Sequence, residues 1–156
     1  MKATRTRRRI ALEELGPLLP ENSELIDAWR RSMRARRLSP HTIEAYTLDL
    51  EQLARSYAHG SCPEPGMTPL DQITGPGLHD WFVDFAEGGP GESEWAPATF
   101  NRKLAAVRAF YKWLIVQRGR EIPNPTLHLE NEPPRFSRRP AYLSGTGSGS
   151  VAFRRQ

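Results

Sequence analysis

Apolar residues recur through the middle of the chain at intervals of three and four, the spacing that gathers them on one face of an α-helix. Leu25, Ile26, Trp29 and Met33 form the first such stripe, with Ser23 placed before it as an N-cap, which predicts a helix over about 23–36. Ser39-Pro40 opens the second, over about 40–58, because a capping hydroxyl followed by proline at the first helical position is a strong start signal. Ile43, Tyr46, Leu50, Leu53, Ala54 and Tyr57 make its apolar face, and Gly60, Pro63, Pro65 and Gly66 mark the loop after it. Thr74 caps a third helix over about 75–87, where Leu78, Trp81, Phe82 and Phe85 fall at i, i+3, i+4 and i+7. The fourth runs over about 97–118, from Pro97 to the terminating Gly119, with Phe100, Leu104, Val107, Tyr111, Leu114 and Ile115 facing inward. No apolar residue alternation of period two appears, so the expected fold is all-α: a bundle of four main helices with irregular basic termini.

Around this core the composition changes. Residues 1–21 read as a flexible basic arm with a proline-containing lead-in, and residues 22–125 as the folded domain. Residues 126–156 read as a hinge with a disordered tail, closing on Gly145-Thr146-Gly147-Ser148-Gly149-Ser150. The arm is basic enough for a signal-peptide start, but Glu13, Glu14, Gly16 and Pro17 break the stretch that follows, and no run of eighteen apolar residues exists. A cytoplasmic location, with no membrane contact, is expected. Cys62 is the single cysteine, so an intramolecular disulfide and a multi-cysteine metal site are both excluded.

Charge narrows the function. The chain carries a net charge of +4. Between Gly75 and Trp95 the charges are Asp80, Asp84, Glu87, Glu92 and Glu94; between Ala96 and Arg120 they are Arg102, Lys103, Arg108, Lys112, Arg118 and Arg120. Adjacent segments of opposite sign give a small fold a positive side that steers toward a phosphate backbone, although a self-neutralising fold would produce the same pattern. On a helical wheel the fourth helix sets Ala98, Arg102, Ala105 and Ala109, with Ala106 nearby, opposite its apolar stripe. Small side chains allow close approach to a DNA groove while Arg102 reaches out; alanine's helix propensity or packing on another helix explains them equally. His41, Thr42, Ala45 and Gln52 lie away from Ile43 on the second helix, whose N-terminus offers N–H groups and a hydroxyl to a phosphate, unless Ser39 and Thr42 serve only as caps. Enzyme signatures are missing: His41, His59, His79 and His128 form no metal or catalytic pattern, no glycine loop has phosphate-binding spacing, and Asp80, Asp84 and Glu87 read as a solvated face. Neither a cofactor, a metal nor a small-molecule substrate is expected.

Several ordered motifs resemble a known family. Arg37-Leu38-Ser39-Pro40-His41-Thr42-Ile43-Glu44-Ala45-Tyr46, followed by Leu50, is similar to the opening of the core-binding domain of tyrosine recombinases of the phage-integrase and Xer type. Thr99-Phe100-Asn101-Arg102-Lys103-Leu104 and the residues to Leu114 resemble a later helix of that domain. Asn124-Pro125-Thr126 resembles the segment after it, and Arg139-Pro140 with Leu143-Ser144 its hinge to the catalytic domain. The resemblance spans roughly 23–144. It implies a SAM-like four-helix domain forming half of a C-shaped clamp on duplex DNA, in DNA integration and recombination, with other recombinase protomers as further partners. It implies DNA contacts by His41 and Thr42 from the second helix and by Thr99, Arg102 and Lys103 from the fourth, with Lys103 on a phosphate. Arg37 and Arg108 complete the expected DNA-binding set. The family's catalytic residues have no counterpart here, so the chain is expected to be non-enzymatic: a truncated product, a frameshifted remnant or an excised domain. The alternative is a helical protein-interaction module or a non-functional remnant.

Overall fold

In the computed structural model, described here for Leu12 and residues 15–60, 62–88 and 94–130, four α-helices follow in order. They are α1 (Pro20–Ala35), α2 (Pro40–Ser56), α3 (Gly75–Ala86) and α4 (Pro97–Lys112), with a single 3₁₀ turn at Leu70–Gln72 between α2 and α3. Among the described residues the only β-pairing is an isolated bridge between His59 and Cys62, so the fold is all-α as expected. The arm before Leu12, Glu13, Glu14 and the tail from Asn131, including the hinge motif at 139–144, lie outside the described residues.

The ends of the helices follow local chemistry. Ser39 and Thr74 cap as expected, each side-chain oxygen accepting from the backbone N–H three residues on. Ser23 does not cap: α1 starts earlier, on Pro20 as its first residue, and the Ser23 amide is already bonded to the Leu19 carbonyl at 2.9 Å. Pro20 needs no N–H partner and brings its own helical φ, so the start moves to it. At the other end of α1, the Leu38 amide donates to Met33 and that of Arg37 to Arg34, the paired bonds of a Schellman motif. Arg37 occupies the left-handed position (φ 64°) where glycine is usual. The fourth helix is not α-helical to residue 118: Trp113–Gln117 form a π-turn, in which the Arg118 amide reaches back to Trp113. Gly119 then closes it with φ 74°.

Aromatic side chains tie the helices into one core. Trp29 of α1 is fully buried, stacked on Tyr46 of α2 and edge-on to Phe110 of α4 at 5.4 Å. Trp81 of α3 donates to Ser56 Oγ of α2 at 2.8 Å and packs against Phe82, Phe85 and Trp95. Trp95, just before the N-cap Ala96, meets Phe100 with ring centroids 6.3 Å apart, a hydrophobic staple that fixes the entry into α4. The 3₁₀ turn is held by buried polar groups: Asn22 bridges Thr68 and Leu70, and the Tyr111 hydroxyl donates to the Leu70 carbonyl at 2.7 Å. Both α1 and α4 pack against α2, the central helix of the bundle.

Candidate nucleic-acid interface

The outward arc of α4 carries Ala98, Arg102, Ala105 and Lys112, all exposed, with Asn101, Arg108 and Ala109 half-buried beside them. No acid falls anywhere between Ala96 and Arg120, so nothing on this helix offsets its bases. Ala106 is not part of the arc. It is fully buried, because 100° per residue carries it toward Phe110 and Lys103 on the inner side.

Arg102 does not project alone. Its Nε donates to Asp49 Oδ2 at 3.1 Å and its Nη2 to Asp49 Oδ1 at 2.8 Å, a side-on pairing between α4 and α2. The Asp49 side chain is 2% exposed whereas that of Arg102 is 44% exposed, so the carboxylate belongs to the interior and the guanidinium reaches the surface. Hydrogen bonding to Asp49 pushes the Arg102 pKa further above its ordinary value, against desolvation by burial. The charge is permanent.

Lys103 sits differently from the expectation of a surface phosphate contact. It is buried: its ammonium donates to Asp49 Oδ1 and to Gln52 Oε1, each at 2.8 Å, and lies 5.1 Å from the centre of the Trp95 ring. Burial of a lysine requires such partners, since an unpaired ammonium in the interior is strongly unfavourable. Gln52 is likewise buried rather than outward, because α2 is covered by α4 on that side. Asp49 is the residue that sequence reasoning passed over. Its signal was weak: one acid at a position on the α2 wheel between apolar residues, meaningful only once two bases of α4 pack onto it.

At the start of α2, His41 is exposed and Thr42 half-buried. Thr42 is engaged in capping: its amide donates to Ser39 Oγ at 3.1 Å, and its hydroxyl oxygen accepts from Ser39 Oγ at 2.9 Å. The Ile43 amide bonds to the Ser39 carbonyl and Pro40 has no N–H, which leaves the His41 amide as the first-turn donor outside both cap and helix. Thr99 is half-buried in the first turn of α4. Arg108, two turns further on, donates to the Leu129 carbonyl and secures the segment after α4. Arg37 stands exposed at the end of α1. The structure thus joins Arg102 and Lys103 directly through Asp49, and places His41 and Thr42 two turns earlier on the helix that carries Asp49.

Among the described residues no three His, Cys, Asp or Glu side chains gather as a metal site requires, and no helix is long and apolar enough to cross a membrane. Comparison with curated proteins and with solved structures returned no match. The family model of the phage integrase N-terminal SAM-like domain matches residues 26–118, from within α1 through the π-turn, which is more than half of the 156 residues. By that match the chain belongs to the phage integrase N-terminal SAM-like domain family.

Proposed function

We propose that this chain binds duplex DNA as the core-binding half-clamp of a site-specific tyrosine recombinase, in the cytoplasm and in DNA integration and recombination. The observation that carries this reading is the acid-free outward arc of α4, where Arg102 and Lys112 stand among alanines. A helix fits the major groove, small side chains admit its backbone, and arginine matches both guanine edges and phosphates. His41 and Thr42 at the start of α2, Thr99 in the first turn of α4, and Arg37 and Arg108 are the further DNA contacts of this reading. Lys103 acts on the same face from inside, through Asp49. Strand cleavage and rejoining fall to a catalytic half, which completes the clamp, with other recombinase protomers as further partners.

Half a clamp makes few phosphate contacts, so affinity is modest and falls with salt by roughly 0.9 log units per log unit of salt for each phosphate neutralised. Arg102→Ala is expected to weaken duplex binding at least several-fold in a mobility-shift titration, mostly at the preferred site. Unchanged binding by Arg102→Ala removes α4 as the docking helix. A second reading, a protein-interaction module, draws on a groove of about 620 Å³ between α1 and α2, lined by Arg30, Arg34, Leu38, Ile43, Leu48 and Glu51. Leu48 is 44% exposed there. Binding to a protein through that groove would persist at salt concentrations that release DNA.

A further inference from the structure

A guanidinium has a side edge, formed by Nε–H and one N–H of Nη2, and an end edge formed by one N–H each of Nη1 and Nη2. Asp49 takes the side edge of Arg102. The end edge, two parallel donors, therefore remains for a ligand. Long arginine side chains ordinarily lose considerable rotamer freedom on binding, and a fork already fixed in place loses less. Asp49 can act as that fixture because it is itself fixed: it is 2% exposed and also accepts from the Lys103 ammonium, whose second partner is Gln52, one turn from Asp49 on α2. The two cations share one carboxylate, so Asp49 does not cancel the positive charge of the face.

We infer that Asp49 is a positioning residue for base recognition: it holds Arg102 by its side edge and presents the end edge to the O6 and N7 acceptors of a guanine in the major groove. The inference rests on the duplex-binding reading above and adds the base it reads and the residue that aims the reader. A phosphate would accept from the same edge, but the alanines at 98 and 105 flank Arg102 on an exposed helical face that can enter the groove, which favours the base. Lys103 contributes by keeping the carboxylate in place rather than by touching DNA.

The test is selection from a random-sequence duplex library with the wild-type chain, Arg102→Lys and Asp49→Asn, followed by titration of the selected duplex with 7-deazaguanine at the guanine concerned. The wild type should select a guanine that both variants prefer about ten-fold less, since lysine lacks the fork and asparagine cannot hold it. The 7-deaza substitution should weaken the wild type and leave Arg102→Lys unaffected. Should Asp49→Asn fail to fold, proton exchange at Arg102 Nε in the free wild-type protein measures the same contact, and is expected to be slower than at exposed arginines. A guanine preference equal in wild type and Arg102→Lys, a selected site without guanine, or rapid exchange at Nε overturns this inference while leaving duplex binding intact. Absence of any duplex binding overturns both.

Discussion

Exchanging Asp49 for asparagine leaves the buried Lys103 ammonium without the carboxylate oxygen that lies 2.8 Å from its Nζ. Arg102, with a side chain 44% exposed, can turn into water; Lys103, with 10%, cannot do so without unpacking from Trp95. Removing one partner of a buried ion pair typically costs about 3–5 kcal/mol, most of it the uncompensated charge left behind. At roughly 3 °C per kcal/mol for a chain of this size, the Tm should fall by about 10–15 °C. The reverse exchange, Lys103→Met, is milder, because Arg102 still neutralises Asp49 and the methionine refills the volume. Its penalty includes the lost bond to Gln52, about 1–2 kcal/mol. In Asp49→Asn/Lys103→Met the buried ammonium goes together with its carboxylate, so the double variant should recover about 2 kcal/mol over the sum of the singles. Thermal and urea unfolding followed by far-UV circular dichroism measure all three. Equal losses in the two single variants, or strict additivity in the double, would refute the argument that taking the carboxylate from the buried ammonium sets the cost.

Gly77→Ala should destabilise by about 1–3 kcal/mol in urea unfolding, because a Cβ there would stand 1.9 Å from the hydroxyl of fully buried Tyr57; the Tyr57→Phe background should recover most of the loss, and equal cost in both backgrounds contradicts the steric cause. Burial raises the Tyr111 phenol well above its ordinary pKa, with the neighbouring Tyr57 and Asp71 adding to the shift. The folded state therefore keeps a proton that the unfolded chain releases, so stability is intact below about pH 10 and declines above it, by up to about 1.4 kcal/mol per pH unit. Tyr111→Phe should flatten that alkaline decline in urea midpoints, while costing about 1 kcal/mol at neutral pH for its bond to Leu70. Arg37→Gly relieves the left-handed φ of 64° and should stabilise by about 0.5–1 kcal/mol; if Arg37 touches DNA, the same variant binds duplex more weakly in a mobility shift.

Much of the fold is legible because local rules act alone. Pro40, Pro97, Thr74 and Gly119 mark helix ends through φ preferences and capping hydrogen bonds that need no distant partner. The start of α1 was misplaced at Ser23, since two start signals lie within four residues and Pro20 prevails. Trp95 was also readable in principle, as the N′ half of a staple with Phe100.

By itself the sequence determined the helical periods, the acid-free run from Ala96 to Arg120 and the outward position of Ala98 and Ala105 beside Arg102. These depend on residue type and a 100° turn per residue. Tertiary structure alone decided what the bases of that run do. Arg102 and Lys103 are neighbours in sequence with identical charge, yet one reaches the surface and the other is buried. The difference comes from α2: its packing sets Asp49 and Gln52 against α4, more than fifty residues away in sequence, beyond the reach of a wheel drawn for one helix.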